Sequence, residues 1–414
     1  MAVNLPPLPA LAPVAGVRLA TVRAGVRYAD RDDLVLVELP AGAAVAALFT
    51  RNRFRAAPVR IAEASLAALR VAGASPTHLL INTGNANAGT GPAGDAAARS
   101  CCAAVAKVAG VAAEGVLPFS TGVIGEALPA ERIVRALPEA VAALSEDGWA
   151  RAAGGILTTD TAPKGVCVAI PGPLAGHVTG IAKGAGMIRP DMATMLAFLA
   201  TDVAVTPTVL DVLLRRAVDA SFNRITVDGD TSTNDAVVAI STGSTDDAPI
   251  DDAEAPAARA LGAALTEACV QLAQAIVRDG EGATRFVTVE VGGARSSAEA
   301  LACAYTIAES PLVKTALFAG DPNWGRILAA IGRSGIDDLD VDGVAIALVD
   351  EVGPVSIAEA GGVAAGYREA DGARVVGREE FTIRVDLGRG AARETVWTTD
   401  LSHEYVRINA EYRS

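Results

Sequence analysis

The residues best suited to chemistry lie in the run 183–198, where a glycine-rich stretch reaches Ala193 and Thr194 and then becomes continuously apolar. An apolar run of this kind is typical of a buried strand, so the Thr194 hydroxyl is expected where a loop becomes a sheet. If that hydroxyl attacked the carbonyl of Ala193 and the resulting ester hydrolysed, the new chain would begin with Thr194. Its own α-amine would then be the base that activates its hydroxyl.

An α-amine suits this role at neutral pH. Its reference pKa of about 7.7 to 8.0 leaves a minority of it neutral, whereas a lysine amine near 10.4 is almost fully protonated. The same segment also fits a threonine that only opens or caps a strand, because threonine favours both positions. The segment by itself leaves both interpretations open.

Acyl transfer also needs hydrogen-bond donors for the oxyanion of the tetrahedral intermediate. Removal of one such donor typically costs about 2.7 to 4 kcal/mol of transition-state stabilisation. Thr121 and Gly122 are the candidates, since glycine lets a backbone N–H approach a reacting oxygen and the threonine hydroxyl adds a second donor. A turn between a strand and a helix over residues 118–125 would explain the same residues structurally.

Four motifs occur along the chain, at residues 121–126, 183–198, 221–235 and 320–326. In their residues and in their order they resemble the arginine-biosynthesis ornithine acetyltransferase family. The resemblance extends from about Arg51 to the C-terminus, which is nearly the whole chain. It favours the catalytic interpretation of Thr194 over the structural one.

This resemblance implies an acyltransferase that moves the acetyl group of N2-acetyl-L-ornithine to L-glutamate through an acetyl ester of Thr194, with Thr121 and Gly122 as the oxyanion hole. It implies autocatalytic cleavage between Ala193 and Thr194. The products would be a light chain, 1–193, and a heavy chain, 194–414, that share the core sheets, and family members commonly assemble two of each. No metal or cofactor is implied, and acetyl-CoA is a co-substrate only in a member that also performs the first step of the pathway.

The resemblance also assigns substrate contacts before the expected cut. Thr194 itself binds the substrate that it attacks. Lys183 is expected to pair with the α-carboxylate of an amino acid, although a solvated surface lysine would give the same sequence. Thr159, or failing that Thr161, is expected to line the pocket, although residues 158–161 also fit a simple turn or a helix start.

Three further substrate contacts are implied in the C-terminal half. Glu281 lies between two glycines after a long helix, and a C-cap loop explains the glycines but not the glutamate. By resemblance this carboxylate binds the ornithine ammonium. Asn409 and Ser414 are expected to close over the substrate, although the tail 405–414 also fits a frayed terminus.

The elements that position these residues alternate between strand and helix patterns. Strands are expected at 34–39, 43–49, 78–81, 165–170, 177–181, 224–227, 236–240, 286–291, 344–348 and 381–387. Helices are expected at 61–71, 96–108, 128–144, 207–220, 254–277, 299–307 and 327–331. The fold that the resemblance implies is an α/β protein, an αββα sandwich like that of N-terminal-nucleophile hydrolases with a smaller C-terminal α/β lobe.

Composition narrows the function classes. The chain has 414 residues, of which 51% are hydrophobic but only 4% aromatic, so its cores are expected to consist of small aliphatic side chains. The net charge of −13 disfavours nucleic acid as a partner. Five cysteines without a CxxC pair and only three histidines suggest neither a disulfide framework nor a zinc site. The first 16 residues lack a basic region and no run of about 18 apolar residues occurs, so a cytoplasmic protein without a membrane role is expected.

Two motifs suggest other functions. Residues 89–94 match the GxGxxG pattern of dinucleotide-binding loops, but Pro92 removes a backbone donor, and turns in left-handed conformations explain the Gly and Asn residues of 82–94 better. Residues 228–234 are rich in oxygen ligands but lack the twelve-residue calcium pattern. No P-loop is present.

Two alternatives to the transferase remain. A self-processing amidase or aminopeptidase would use water instead of glutamate as the acyl acceptor. A non-catalytic ligand-binding protein would use Thr194 only as a strand residue.

Overall fold

The chain forms two units, and each combines more than one stretch of sequence. The computed structural model describes residues 2–172, 174, 176–189, 195–245 and 248–411. The larger unit, here called the sandwich unit, comprises residues 7–223 and 230–276, and the smaller, here called the C-terminal unit, comprises 2–6, 224–229 and 277–411. Ala193, Thr194 and Ser414 lie outside the described residues.

The sandwich unit contains two β-sheets. Its strands are β1 (Arg18–Val22), β2 (Leu34–Glu38), β3 (Ala44–Phe49), β4 (His78–Asn85), β5 (Val116–Val123), β6 (Lys164–Ala169), β7 (His177–Lys183), β8 (Leu196–Thr201) and β9 (Ala236–Ser241). The first sheet has the order β1-β2-β4-β5 and the second the order β3-β9-β8-β7-β6. β4 is parallel to β5 and β8 is parallel to β9, while the other neighbours are antiparallel.

The main core of this unit lies between the two sheets. Phe119 of β5 meets Phe198 of β8 edge to face, with ring centroids 5.3 Å apart. Every residue of β8 is buried, as expected for a strand that is covered on both faces. The predicted buried strand after Thr194 is therefore confirmed, and it begins at Leu196.

Helices pack around both sheets. They are α1 (Ala57–Val71), α2 (Gly91–Ala109), α3 (Ala130–Ala142), α4 (Trp149–Gly155), α5 (Pro207–Asp219) and α6 (Pro256–Arg278). α2 and α3 pack with Leu34, Leu36 and Leu80 of the first sheet, and α6 places Leu272 against Gly180 of the second. The layers are helix, sheet, sheet and helix, which confirms the predicted αββα sandwich.

α6 is the one helix in the described ranges that is long and apolar enough, by length and composition, to cross a membrane. Half of its most apolar window is buried inside the fold, which a core helix also shows, so the segment is weak evidence for a membrane span.

The C-terminal unit is a second α/β layer structure, as predicted. Its strands are β10 (Phe286–Ala294), β11 (Ala345–Asp350), β12 (Gly353–Glu359), β13 (Gly362–Val363), β14 (Glu380–Asp386) and β15 (Ala392–Thr399), in the order β13-β12-β11-β14-β10-β15. Its helices are α7 (Ser297–Ala308), α8 (Pro311–Ala319), α9 (Trp324–Gly332), α10 (Glu369–Val376) and α11 (His403–Ala410). One apolar cluster joins the sheet to α7, α8, α9 and α10.

The structure differs from the sequence-based elements at several positions. The sequence did not predict the elements β1, β5, β12, β13, β15, α4, α8, α10 and α11. The predicted strand at 224–227 is absent: a 3-10 turn ends at Arg224, and one bridge pairs Ile225 with Trp397 before the chain turns at Gly229, whose φ is +81°. The tail does not fray at its start but forms α11, which Ser402 caps. α4 was missed because it is short and ends in two glycines, which are poor helix formers. The first residue of this helix, Trp149, is buried.

Candidate active site

Two predicted site residues meet in the interior of the sandwich unit. Lys183, the last residue of β7, donates a hydrogen bond from Nζ to Oγ1 of Thr121 at 2.8 Å. Lys183 is 3% exposed and Thr121 is 5% exposed. Burial of an ammonium group is costly unless polar partners receive its hydrogens, so Lys183 is an interior residue and not the solvated surface lysine that the sequence also allowed.

The pairing of β7, β8 and β9 places Met195, the first described residue after Thr194, close to Lys183 in the sheet. Lys183 is the antiparallel partner of Leu196, and Leu196 is the parallel partner of Ala236. Met195, which directly follows Thr194 in the sequence, therefore lies one residue from this row.

The main chain of Met195 is bound through both of its polar groups. The Met195 N–H donates to Oδ1 of Asp235 at 3.0 Å, and the Met195 carbonyl accepts the N–H of Ala236 at 3.1 Å. Asp235 is 1% exposed. Burial raises the pKa of Asp235 well above its ordinary value, and the Met195 N–H, the Ser232 hydroxyl and the charge of Lys183 offset only part of this effect.

Asp160 is the second buried carboxyl group of the site. It pairs with Lys164 at 2.7 Å, with both side chains fully buried, and accepts the N–H of Gly184 at 2.7 Å. Burial alone would raise the pKa of Asp160, but the ammonium groups of Lys164 and Lys183 bring it below its ordinary value. The pKa of Asp160 is therefore lowered, whereas the pKa of Asp235 is raised.

The sequence prediction chose the neighbours of Asp160 instead. Thr159 is half-buried and Thr161 is exposed, and Asp160 orders their loop by accepting the Thr158 N–H at 3.0 Å. The sequence signal for this buried pair was Asp160 four residues before Lys164, which is the first residue of β6. Neither Asp160 nor Asp235 was singled out from the sequence.

Gly122 occupies a position that only glycine can fill. It is in β5, not in the strand-to-helix turn considered above, and its φ is +135°. A Cβ on Gly122 would lie 2.3 Å from the carbonyl carbon of Gly84. The close approach of two main chains thus requires glycine here. This reason adds to the one from the sequence, that glycine lets a backbone N–H approach a reacting oxygen.

Glu281 and Asn409, two predicted substrate contacts, meet in the C-terminal unit. Asn409 of α11 donates from Nδ2 to Oε2 of Glu281 at 2.8 Å. The Ser402 hydroxyl donates to the carbonyl of Gly282 at 2.6 Å, and Asp400 accepts the N–H of Thr284 at 2.8 Å. The start of α11 therefore fixes the loop that carries Glu281, which is 8% exposed.

The chain is similar to known proteins over nearly its whole length. The model of the ArgJ family matches residues 18–414. The arginine biosynthesis bifunctional protein ArgJ of Pseudomonas syringae pv. tomato is 54% identical over 415 aligned residues, which cover all of both chains. The chain belongs to the ArgJ family.

Two solved structures are also similar. The ArgJ protein of Bacillus halodurans is 39% identical and covers 52% of this chain and 98% of its own, with a TM-score of 0.48. The ornithine acetyltransferase of Mycobacterium tuberculosis, in complex with ornithine, is 32% identical and covers 44% of this chain and 96% of its own, with a TM-score of 0.37.

The segment 82–94 of this ArgJ chain, which contains the GxGxxG match, has a structural role, as its sequence favoured. Gly84 and Asn87 adopt positive φ angles of +89° and +47°. The Asn87 side chain donates to the carbonyl of Gly94 at 3.0 Å and accepts the Thr90 hydroxyl at 2.8 Å. These bonds tie the turn to the start of α2. In the described part of the chain, no group of three or more His, Cys, Asp or Glu residues is placed to hold a metal ion.

Asp160→Asn is expected to lower the free energy of unfolding by about 3 to 5 kcal/mol at pH 7, because the buried ammonium of Lys164 loses its partner. The lowered pKa of Asp160 means that the wild-type carboxylate stabilises the fold above the unfolded-state pKa, near 3.9, and that this contribution is lost as the pH falls further. The difference between variant and wild type should therefore persist at pH 5 and shrink below about pH 4. Urea unfolding at several pH values measures it.

Asp371→Asn is the matched control. Asp371 pairs with Arg368 on the surface, where the side chains are 36% and 78% exposed, and exposed pairs contribute little. Equal losses for the two variants, or a loss at Asp160 that does not change with pH, would contradict the assignment.

Proposed function

We propose that this ArgJ family member is a self-cleaving acyltransferase of arginine biosynthesis that moves the acetyl group of N2-acetyl-L-ornithine to L-glutamate. The observation that carries the proposal is the 2.8 Å contact between Lys183 and Thr121, residues 62 positions apart that meet at the sheet edge where the chain enters β8. Full-length identity of 54% to a bifunctional protein of arginine biosynthesis supports the pathway.

The first reaction is the cut. The Thr194 hydroxyl adds to the carbonyl carbon of Ala193, the bond from that carbon to the Thr194 nitrogen breaks, and the hydroxyl proton ends on the nitrogen. Water then hydrolyses the ester. The products are chains 1–193 and 194–414, the second of which begins with a free α-amine.

The second reaction is the transfer, in two halves. The α-amine accepts the proton of the Thr194 hydroxyl, which attacks the acetyl carbonyl of acetylornithine, and ornithine leaves with that proton on its nitrogen. The amine of glutamate then attacks the acetyl ester and restores the hydroxyl. Each half passes through an oxyanion of the same kind.

Thr121 and Gly122 are the proposed donors to that oxyanion. Lys183 donates to Thr121 Oγ1, so the hydroxyl hydrogen of Thr121 remains available for donation. The nearby positive charge also stabilises negative charge that develops during the reaction. Thr159, Thr161, Lys183, Thr194, Glu281, Asn409 and Ser414 are the proposed substrate contacts, and Glu281 supplies a carboxylate for an ammonium group.

We further propose that this chain also acetylates glutamate from acetyl-CoA, because the relative that is identical at 54% of positions is bifunctional. Assembly of two light and two heavy chains and a cytoplasmic location complete the proposal. The alternative is an amidase that passes the acetyl group to water.

Thr194→Ala is expected to yield one uncut polypeptide without transfer activity, because the attacking hydroxyl is gone, whereas the wild type yields two chains that meet between Ala193 and Thr194. Thr194→Ser keeps a hydroxyl and should still be cut. Intact mass spectrometry of the purified proteins reports each outcome. Two fragments from Thr194→Ala would refute the proposed nucleophile.

Release of ornithine is expected to depend on glutamate. With acetyl-labelled acetylornithine, the wild type should form labelled N-acetylglutamate in step with ornithine, because the acetyl ester of Thr194 needs an amine acceptor. Mass spectrometry of the reaction mixture measures both products. Ornithine release at an unchanged rate without glutamate, with free acetate as the product, would favour the amidase.

Glu281→Gln is expected to lower kcat/KM for acetylornithine at least about tenfold, because a hydrogen bond to a charged group typically contributes about 1.5 to 3 kcal/mol and 1.4 kcal/mol is a factor of ten. Steady-state kinetics measure the change. Glu404→Gln is the control, since Glu404 is on α11 but 48% exposed and paired with Arg407. Equal kinetics in the Glu281 variant and the wild type would remove Glu281 from the proposed site.

A further inference from the structure

Asp235 is a buried carboxyl group that the transfer chemistry above does not use. Its Oδ1 accepts the Met195 N–H at 3.0 Å. Its Oδ2 is buried and has no hydrogen-bond partner in the described ranges. A buried carboxylate oxygen without a donor is costly. The hydroxyls of Ser232 and Thr50 lower the pKa of this carboxyl group but make no hydrogen bond to Oδ2 within the described ranges, so the position calls for a further donor close to Met195.

Two other aspartates show how carboxyl groups hold the main chain in this protein. Asp33 accepts the N–H groups of Ala24 and Gly25 with Oδ1 and that of Val26 with Oδ2. Asp400 accepts the N–H groups of Thr284 and Arg285 at 2.8 and 3.0 Å, and its other oxygen accepts the Thr284 hydroxyl. In both cases one carboxyl group binds consecutive main-chain nitrogens and uses both oxygens.

We propose that Asp235 is a positioning residue for the α-amine of Thr194: Oδ1 keeps the Met195 N–H, and Oδ2 accepts a hydrogen bond from the amine that the cut creates. The proposal rests on the proposed function, because that amine exists only if the chain is cut before Thr194. Before the cut the nitrogen is an amide with one hydrogen, and afterwards it carries at least two. The cut itself thus supplies a new donor one residue from Met195.

The electrostatic surroundings of Asp235 change with this event. In the uncut chain burial raises the pKa of the carboxyl group, and the described groups that lower it are the Met195 N–H, the hydroxyls of Ser232 and Thr50, and the charge of Lys183. An amine beside the carboxyl favours its ionised form, and the carboxylate in turn raises the pKa of the amine. The positive charge of Lys183 opposes this rise in the pKa of the amine. Lys183 is present both in the wild type and in a variant that lacks the carboxylate, so it does not change the comparison between them.

Asp235→Asn separates the two functions of the side chain, because the amide oxygen still accepts the Met195 N–H but the negative charge is gone. We expect the variant to be cut, as seen by intact mass. Its kcat/KM for acetylornithine should fall about 100-fold, as is typical when a reacting group is misplaced. The acidic limb of its kcat/KM profile should move to lower pH, because the amine loses the carboxylate that raised its pKa. A purely structural role would not move that limb.

Asp252→Asn is the matched control, since Asp252 is exposed and also accepts one main-chain N–H, that of Glu254 at 2.9 Å. It should keep both the rate and the profile of the wild type. A cut Asp235→Asn protein with the wild-type rate and an unmoved acidic limb overturns the proposal.

A second measurement needs no variant. In the cut wild type, the pH dependence of labelling at the Thr194 α-amine by an amine-reactive reagent, located by mass spectrometry, gives the pKa of that amine. A value above the reference of about 7.7 to 8.0 supports the proposal, and a value at or below it overturns the proposal. A wild-type chain that is never cut contradicts the proposed function itself. A cut and active wild type with an indifferent Asp235→Asn contradicts only the role of Asp235.

Discussion

The buried charge of Lys183 is the constraint on which the arrangement of the sandwich unit depends. An ammonium that is 3% exposed requires polar partners, and the chain supplies them from distant segments. Thr121 comes from the other sheet, while Asp160 and Asp235 lie within electrostatic reach, in the loops before β6 and β9. One side chain therefore interacts with three segments, by a hydrogen bond to Thr121 and by its charge with Asp160 and Asp235, and the register of β7, β8 and β9 aligns the strands next to it.

The pKa values of the two carboxyl groups around Lys183 shift in opposite directions because their environments differ. Asp160 contacts Lys164 directly and its pKa is lowered, whereas Asp235 has no ammonium in direct contact among the described residues and burial raises its pKa. The positive charge of Lys183 beside Thr121 suits both an oxyanion and the carboxylate of an amino acid.

Sequence motifs located Thr121, Gly122, Lys183, Glu281 and Asn409, and the structure brings together the pairs Lys183 with Thr121 and Glu281 with Asn409. The layered fold and most strands were also predictable, because apolar periodicity reports burial directly. Asp160 and Asp235 were not, since their roles arise from contacts with residues that are far away in sequence or that only sheet register brings close. The strand expected at 224–227 failed for a related reason: its β-forming residues find only one bridge partner, Trp397.

If the chain is cut before Thr194 as proposed, sheet pairing also explains how a chain terminus, ordinarily a mobile element, can carry the proposed catalytic base. The described residues of the site meet through long-range pairing, so the proposed cut requires that the sandwich unit folds first. Met195, the residue behind the proposed new terminus, is bound through both of its main-chain groups, by Asp235 and by Ala236. An anchor at this residue reduces the conformational entropy that the proposed base and nucleophile lose when they are aligned. In the proposed mechanism, one anchored residue, Met195, therefore separates the nucleophile from a fully buried strand, and the chain behind the new amine stays fixed.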